Sequence, residues 1–300
     1  MAPRIVVLSS LVLFALTGAS KPATQRVISG NGMVDGQVNG VAARYRIDPA
    51  GGGAPLLTTS IAERAKLSAG FFKFGFTLGG QKVNLRTAIT RIDFGSGSIR
   101  RRVAWSDRAY ARGVDVLIGP GGLPEPIVRF ALRPSMPGER TMVLKMVDGG
   151  GLFGSAFGLF ALIDVGGAPL RVRFDPFHPR TLVTANAAVR LAQANGGRVA
   201  GTPQPVEIVF GIARPVRALV LQRPVIVGPL SFTTMGVRTG DYGSTSSIPD
   251  RDLDPDEIVV VGKVRPDPRR DRLTIGADLL DTCSSIVYDK PAKQIRLTCA

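Results

Sequence analysis

Reactive side chains are scarce in this sequence of 300 residues, which holds a single histidine, His178, and two cysteines, Cys283 and Cys299. Two cysteines cannot by themselves supply the four ligands of a structural zinc site, and no His/Cys cluster accompanies them. The sequence has no Gly-x-Ser-x-Gly elbow to carry a nucleophilic serine. Its Gly-rich stretch at residues 149–154 lacks the Lys-Ser/Thr of a phosphate loop. Neither a metal nor a cofactor is expected.

Long apolar runs are equally rare. The one near the start, residues 5–16, is too short to span a bilayer, which takes about 20 residues. Arg4 precedes it and the small residues Thr17, Gly18, Ala19 and Ser20 follow, the order of an export signal over residues 1–20. A buried N-terminal helix is the alternative. No cysteine sits at the cleavage point to take a lipid anchor. The protein is therefore expected to be exported, periplasmic or secreted, without stable membrane insertion.

The formal charge of +15 is spread along the chain, and its one compact run is Arg100-Arg101-Arg102. No aromatic-spaced basic motif accompanies it, so nucleic acid is not an expected partner.

What is abundant points to strands. There are 36 glycines and 22 prolines, β-branched residues recur in short runs, and helical periodicity is scarce. Such a chain reads as many short strands joined by turns. Toward the C-terminus two alternating runs flank the turn at Pro291, which lies midway between the cysteines: (283 + 299)/2 = 291. A β-hairpin with Cys283 facing Cys299 is expected, and a disulfide in an oxidising compartment, with two buried free thiols as the alternative.

The sequence also repeats itself. Gly40 leads into Arg44-Tyr45-Arg46-Ile47-Asp48-Pro49, and Gly167 leads into Arg171-Val172-Arg173-Phe174-Asp175-Pro176. The spacing from Gly to Asp is the same in both: 48 − 40 = 8 and 175 − 167 = 8. Each Asp is followed by a loop, a short strand, a Ser/Thr/Asn cap and a short helix. Each half then closes on an apolar strand ending in Gly, Val116-Leu117-Ile118-Gly119 in one and Leu273-Thr274-Ile275-Gly276 in the other. Two copies of this length suggest a duplicated unit with pseudo-twofold symmetry.

In this order the paired elements resemble the two lobes of pepsin/retropepsin-type aspartic peptidases, and residues 275–289 are similar to the closing segment of bacterial retropepsin-like proteins. The resemblance covers most of residues 34–299. It implies a mostly β, bilobal, pseudo-twofold fold with short helices, with lobes over residues 27–148 and 155–300. It also implies a catalytic pair, Asp48 and Asp175, acting on a peptide or protein substrate, with no partner subunit needed to complete the site.

The sequence departs from the family at the most specific point. A Thr or Ser and then a Gly normally follow each catalytic Asp. Here Pro49-Ala50 and Pro176-Phe177 follow instead. Proline has no N–H to give a carboxylate, and neither Ala50 nor Phe177 has glycine's backbone freedom. Two Asp-Pro turns inherited without their chemistry are the competing reading, in which the chain is an inactive pseudo-peptidase that binds peptides or envelope components. His178 and Phe177 are the residues expected to touch substrate, with simple solvent exposure the alternative for His178. The aromatic run at residues 71–76 is expected to pack in a core, with the lining of a substrate cleft as the alternative. Residues 258–262 resemble a strand motif of outer-membrane receptor plugs, over too short a length to imply a partner.

Overall fold

The computed structural model describes residues 24–78, 80–95, 97–110, 113–150, 154–240, 243–250, 252 and 270–300. The expected export signal and the motif at residues 258–262 lie outside these, as do parts of the Gly-rich stretch at 149–154 and of the polar segment at 241–255. No helix among the described residues is long and apolar enough to cross a membrane.

The chain is mostly β. The first half contains β1 (Gln25–Ser29), β2 (Met33–Val38), β3 (Val41–Ile47), β4 (Leu56–Thr58), α1 (Thr59–Arg64), β5 (Lys73–Leu78), β6 (Gln81–Asp93), β7 (Ser98–Ser106), β8 (Val116–Ile118), β9 (Ile127–Ala131) and β10 (Arg140–Asp148). The second contains β11 (Leu159–Val165), β12 (Ala168–Phe174), β13 (Leu182–Thr184), α2 (Ala185–Asn195), β14 (Gly197–Val209), β15 (Ile212–Val227), β16 (Leu230–Arg238), β17 (Arg272–Ile275), α3 (Ala277–Leu280), β18 (Cys283–Asp289) and β19 (Gln294–Cys299).

The two halves fold alike. One sheet has the order β2-β3-β8-β4-β7-β6-β5, and the larger sheet contains β11-β12-β17-β13-β16-β15-β14, the same order by position within each half. Pair directions agree as well. β3–β8 and β12–β17 are parallel, β8–β4 and β17–β13 antiparallel, β4–β7 and β13–β16 parallel.

Alternation explains the matched strands. In β3, Ala43, Tyr45 and Ile47 are buried while Arg44 and Arg46 point the other way. In β12, Leu170, Val172 and Phe174 are buried while Arg171 and Arg173 point the other way. A side-chain period of two places Arg46 on the face of Asp48 and Arg173 on the face of Asp175. The helices after each short strand start at Thr58 and Thr184. Only the first of these is a side-chain cap, with Thr58 Oγ1 accepting from Ile61 N at 3.4 Å.

The remaining strands of the larger sheet join the halves. They run β1-β9-β18-β19-β10-β11, so the C-terminal hairpin lies between two strands of the first half. Within that hairpin Cys283 and Cys299 are register partners and form a disulfide. Tyr288, Ile286, Ile295 and Leu297 fill the core beside them.

The aromatic run does not pack in the core as its composition suggests. Phe71 is 99% exposed and Phe72 53% exposed. Phe72 lies under the Arg102 guanidinium at 5.0 Å, while Phe74 lines a cavity. The run begins before β5 and at its start, so its first rings have no facing sheet to bury them.

Candidate active site

Each acid stands one residue beyond the end of a central strand, beside the parallel neighbour. Asp48 N donates to Ile118 O at 2.9 Å, and Asp175 N donates to Ile275 O at 2.8 Å. The glycines that end β8 and β17 permit this close packing. A Cβ on Gly119 would collide with the Gly51 carbonyl, and one on Gly276 with the Arg180 carbonyl. The loops that follow the two acids thus fold back over equivalent glycines.

The prolines leave the carboxylates hydrogen-bonded. Ala50 N donates to Asp48 Oδ1 at 2.7 Å. Phe177 N and His178 N donate to Asp175 Oδ1 at 3.2 and 3.0 Å. The amides beyond each proline do what an amide at the proline position cannot. Neither Ala50 nor Phe177 has a positive φ, so the turn does not call for glycine.

Asp48 and Asp175 lie close enough to influence each other's ionisation. Burial raises the Asp48 carboxyl to about 8, with the Asp175 charge adding to the rise and Arg173 and Arg46 opposing it. Burial also raises Asp175, against the pull of His178 and Arg173. Asp48 is 5% exposed. Asp175 is half-buried and lines a cavity of about 350 Å³, whose walls come from both halves.

The residues expected to touch substrate divide. His178 lines the cavity, half-buried rather than solvent-exposed. Its Nδ1 is 2.7 Å from Arg180 O and its Nε2 3.2 Å from Glu207 O. Phe177 packs elsewhere, with its ring 5.2 Å from the Arg46 guanidinium and next to Gly32. It joins the second half to the first.

Three features of the site carried no sequence signal. Tyr110 lines the cavity, packs edge-on against Phe210 at 5.2 Å, and has its hydroxyl pKa raised by burial. Tyr288 reaches the acids from the joining strands, its hydroxyl donating to Pro49 O at 3.4 Å. Leu78 and Val83 of the β5–β6 hairpin meet Val209, Phe210 and Ile212 of the β14–β15 hairpin in a separate apolar cluster, whose Val209 and Phe210 form an apolar roof on the cavity lining. All three depend on contacts between segments far apart in the chain.

A wider and more open hollow of about 740 Å³ lies beside β6 and β7, lined by Arg91, Arg100 and Arg102 with Phe71 and Phe72. It holds no acid. Among the described residues no group of three His, Cys, Asp or Glu side chains is placed to hold a metal ion. No family model matches the chain, and no curated protein matches it.

Proposed function

We propose that this chain is a bilobal protein of the aspartic-peptidase type, hydrolysing peptide bonds with a water activated between Asp48 and Asp175. The observation that carries the reading is the equivalence of the two acids. Each follows the same strand of a repeated seven-strand order, with its amide on the equivalent carbonyl, and both carboxyls sense each other.

Two close carboxyls hold one proton between them, because ionising both is costly. Asp48, the more buried, holds that proton, and Asp175 faces the cavity as the carboxylate. Asp175 takes a proton from water while the water oxygen bonds to the scissile carbonyl carbon, and Asp48 gives its proton to the carbonyl oxygen. The resulting diol returns a proton to Asp48, the C–N bond breaks, and Asp175 passes its proton to the leaving nitrogen. Tyr110 and the apolar roof keep bulk water from the reacting atoms.

A second reading, a binding module for peptides that no longer cuts them, draws on one observation: no hydroxyl residue follows either acid.

Cleavage of a mixed peptide library from acid to neutral pH tests both. Asp48→Asn and Asp175→Asn are each expected to lower the rate by about 10²–10⁴-fold. Equal cleavage by the parent and both variants removes the pair from the chemistry. Peptide binding without cleavage by the parent selects the second reading.

A further inference from the structure

The open hollow of about 740 Å³ beside β6 and β7 shares no lining residue with the cavity beside Asp175. It gathers two features of the sequence that the acids leave unused, the compact basic run and the aromatic run.

Strand alternation divides the basic run, since successive side chains of a strand point to opposite faces. Arg101 of β7 is half-buried on one face, where its Nη1 donates to Gly122 O. Arg100 and Arg102 line the hollow on the other. Register adds to them. Arg91 of β6 is the direct partner of Arg100, and Ile89 that of Arg102. Arg91, Ile89 and Lys66 belong to the same lining. Arg102 is engaged, with Nη1 donating to Thr87 Oγ1 at 3.1 Å and its guanidinium 5.0 Å from the Phe72 ring. The side chains of Lys66, Arg91 and Arg100 make no hydrogen bond or ion pair among the described residues. Arg91 and Arg100 are like charges directly opposite one another, an arrangement that destabilises a strand pair. An anion between them removes that repulsion.

The aromatic run borders the same hollow. Gly70 N donates to Thr87 O at 2.7 Å, and Thr87 Oγ1 donates to Phe72 O at 2.6 Å. These bonds fix the backbone on both sides of Phe71, yet its ring is 99% exposed. Phe71 and Phe72 stand edge-on at 6.5 Å. Phe72 and Ile89 are each more than half exposed. Exposed apolar groups gathered in one place mark an interaction surface.

An apolar tip beside cations is the chemistry of interfacial membrane binding. A protein partner needs a pocket shaped to receive Phe71, whereas hydrocarbon takes a protruding ring without one. Lipid phosphates also move to meet cations held on two strands and a loop. A second copy of this chain brings the same positive surface, and the net charge of +15 repels it. That charge draws the chain to an anionic bilayer.

We propose that the hollow beside β6 and β7 is a docking surface for an anionic lipid bilayer, with Phe71 entering the acyl layer and Lys66, Arg91 and Arg100 facing lipid phosphates. The contact is peripheral, made by one loop tip and two strands. None of these residues lines the cavity beside Asp175, so the proposal is independent of the peptide-cleaving reading.

Two measurements on the full chain test it. In the first, the protein is sedimented with phosphatidylcholine vesicles, with and without phosphatidylglycerol. Binding to the anionic vesicles is expected to be about a hundredfold tighter, falling as salt rises. Arg91→Gln and Arg100→Gln should each weaken it about fivefold, and Phe71→Ser about tenfold. Arg140→Gln, which removes an exposed cation outside the hollow, should leave it nearly unchanged. Melting temperatures should match the parent, because Lys66, Arg91 and Arg100 bond nothing inside the fold. In the second, Phe71→Trp places a fluorophore at the tip, read as the difference from a parent whose Trp105 is buried. On anionic vesicles its emission should shift to the blue and be quenched by brominated acyl chains. This readout is local to position 71, so contact made by the apolar run at residues 5–16 does not produce it. Equal binding to both vesicle types overturns the proposal, as does a loss with Arg140→Gln equal to that with Arg91→Gln. Emission at position 71 that neither shifts nor quenches on bound vesicles also overturns it. No vesicle binding, with polyglutamate bound in a manner that Arg91→Gln and Arg100→Gln weaken, assigns the hollow to an acidic protein instead and overturns the lipid assignment.

Discussion

The ring of Phe177 lies 5.2 Å from the guanidinium of Arg46, one residue from each half of the chain, two positions beyond one acid and two before the other. In aspartic peptidases, hydroxyl residues after the acids brace the two lobes. In this chain the cation–π contact joins the halves near both acids, and Tyr288 adds a hydroxyl to the Pro49 carbonyl from the joining strands.

Phe177→Ala is accordingly expected to cost about 2 kcal/mol of stability, from lost apolar burial and the lost cation–π contact. Urea unfolding measures it. A double-mutant cycle with Arg46→Gln should return a coupling of about 0.5–2 kcal/mol. A coupling of zero would show that the contact does not hold the halves together.

The buried acid gives stability a pH dependence of definite sign. Asp48 titrates near 3.8 when unfolded and at about 8 when folded. Between these values the folded chain holds a proton that the unfolded chain has released, so stability falls as pH rises through this window. Thermal unfolding at a series of pH values should show the melting temperature dropping toward pH 8. Asp48→Asn should flatten that slope and raise the melting temperature at the alkaline end. A parent whose stability climbs with pH over the same range contradicts this placement of the proton.

Gly119→Ala and Gly276→Ala should each destabilise by about 1–3 kcal/mol, since the added methyl meets backbone rather than a side chain able to move aside. Gly167→Ala is a different case. Its Cβ meets nothing, but φ is +80°, so its cost is backbone strain alone. Shifts in the acid titrations should accompany the first two substitutions and be absent from the third. NMR or a fluorescence pH profile reads them.

The Cys283–Cys299 disulfide spans a sequence separation of 16, for which loop closure predicts about 3 kcal/mol of stabilisation. Reduction under native conditions should lower the melting temperature by several degrees. Because the bond sits in strands that join the halves, both should lose stability together. Separate melting of one half would show that the joining strands do not couple them.

Much of the fold could be read from local pattern. The two Gly-to-Asp segments gave both central strands and the position of each acid, because a strand with one buried face declares itself by alternation. The hairpin of Cys283 and Cys299 was equally clear, since its register follows from a short turn. What could not be read depends on distant segments. β18 pairs with β9 and β19 with β10, and nothing local in Ile127–Ala131 or Arg140–Asp148 marks those partners. Tyr110, from a loop with no motif, reaches the cavity through Phe210. The proline after each acid was misleading in one respect. It suggested carboxylates without amide donors, whereas the amides one or two positions later bond them.

The last hairpin fills a slot between strands completed about half a chain earlier. On the ribosome, β9 and β10 therefore emerge with their neighbouring edges open, and remain so until β18 and β19 are made. Unpaired edges of this kind invite pairing with other chains. Assembly of the joining strands thus waits for the Cys283–Cys299 hairpin, and the cavity waits for Arg272 and Thr274 of β17.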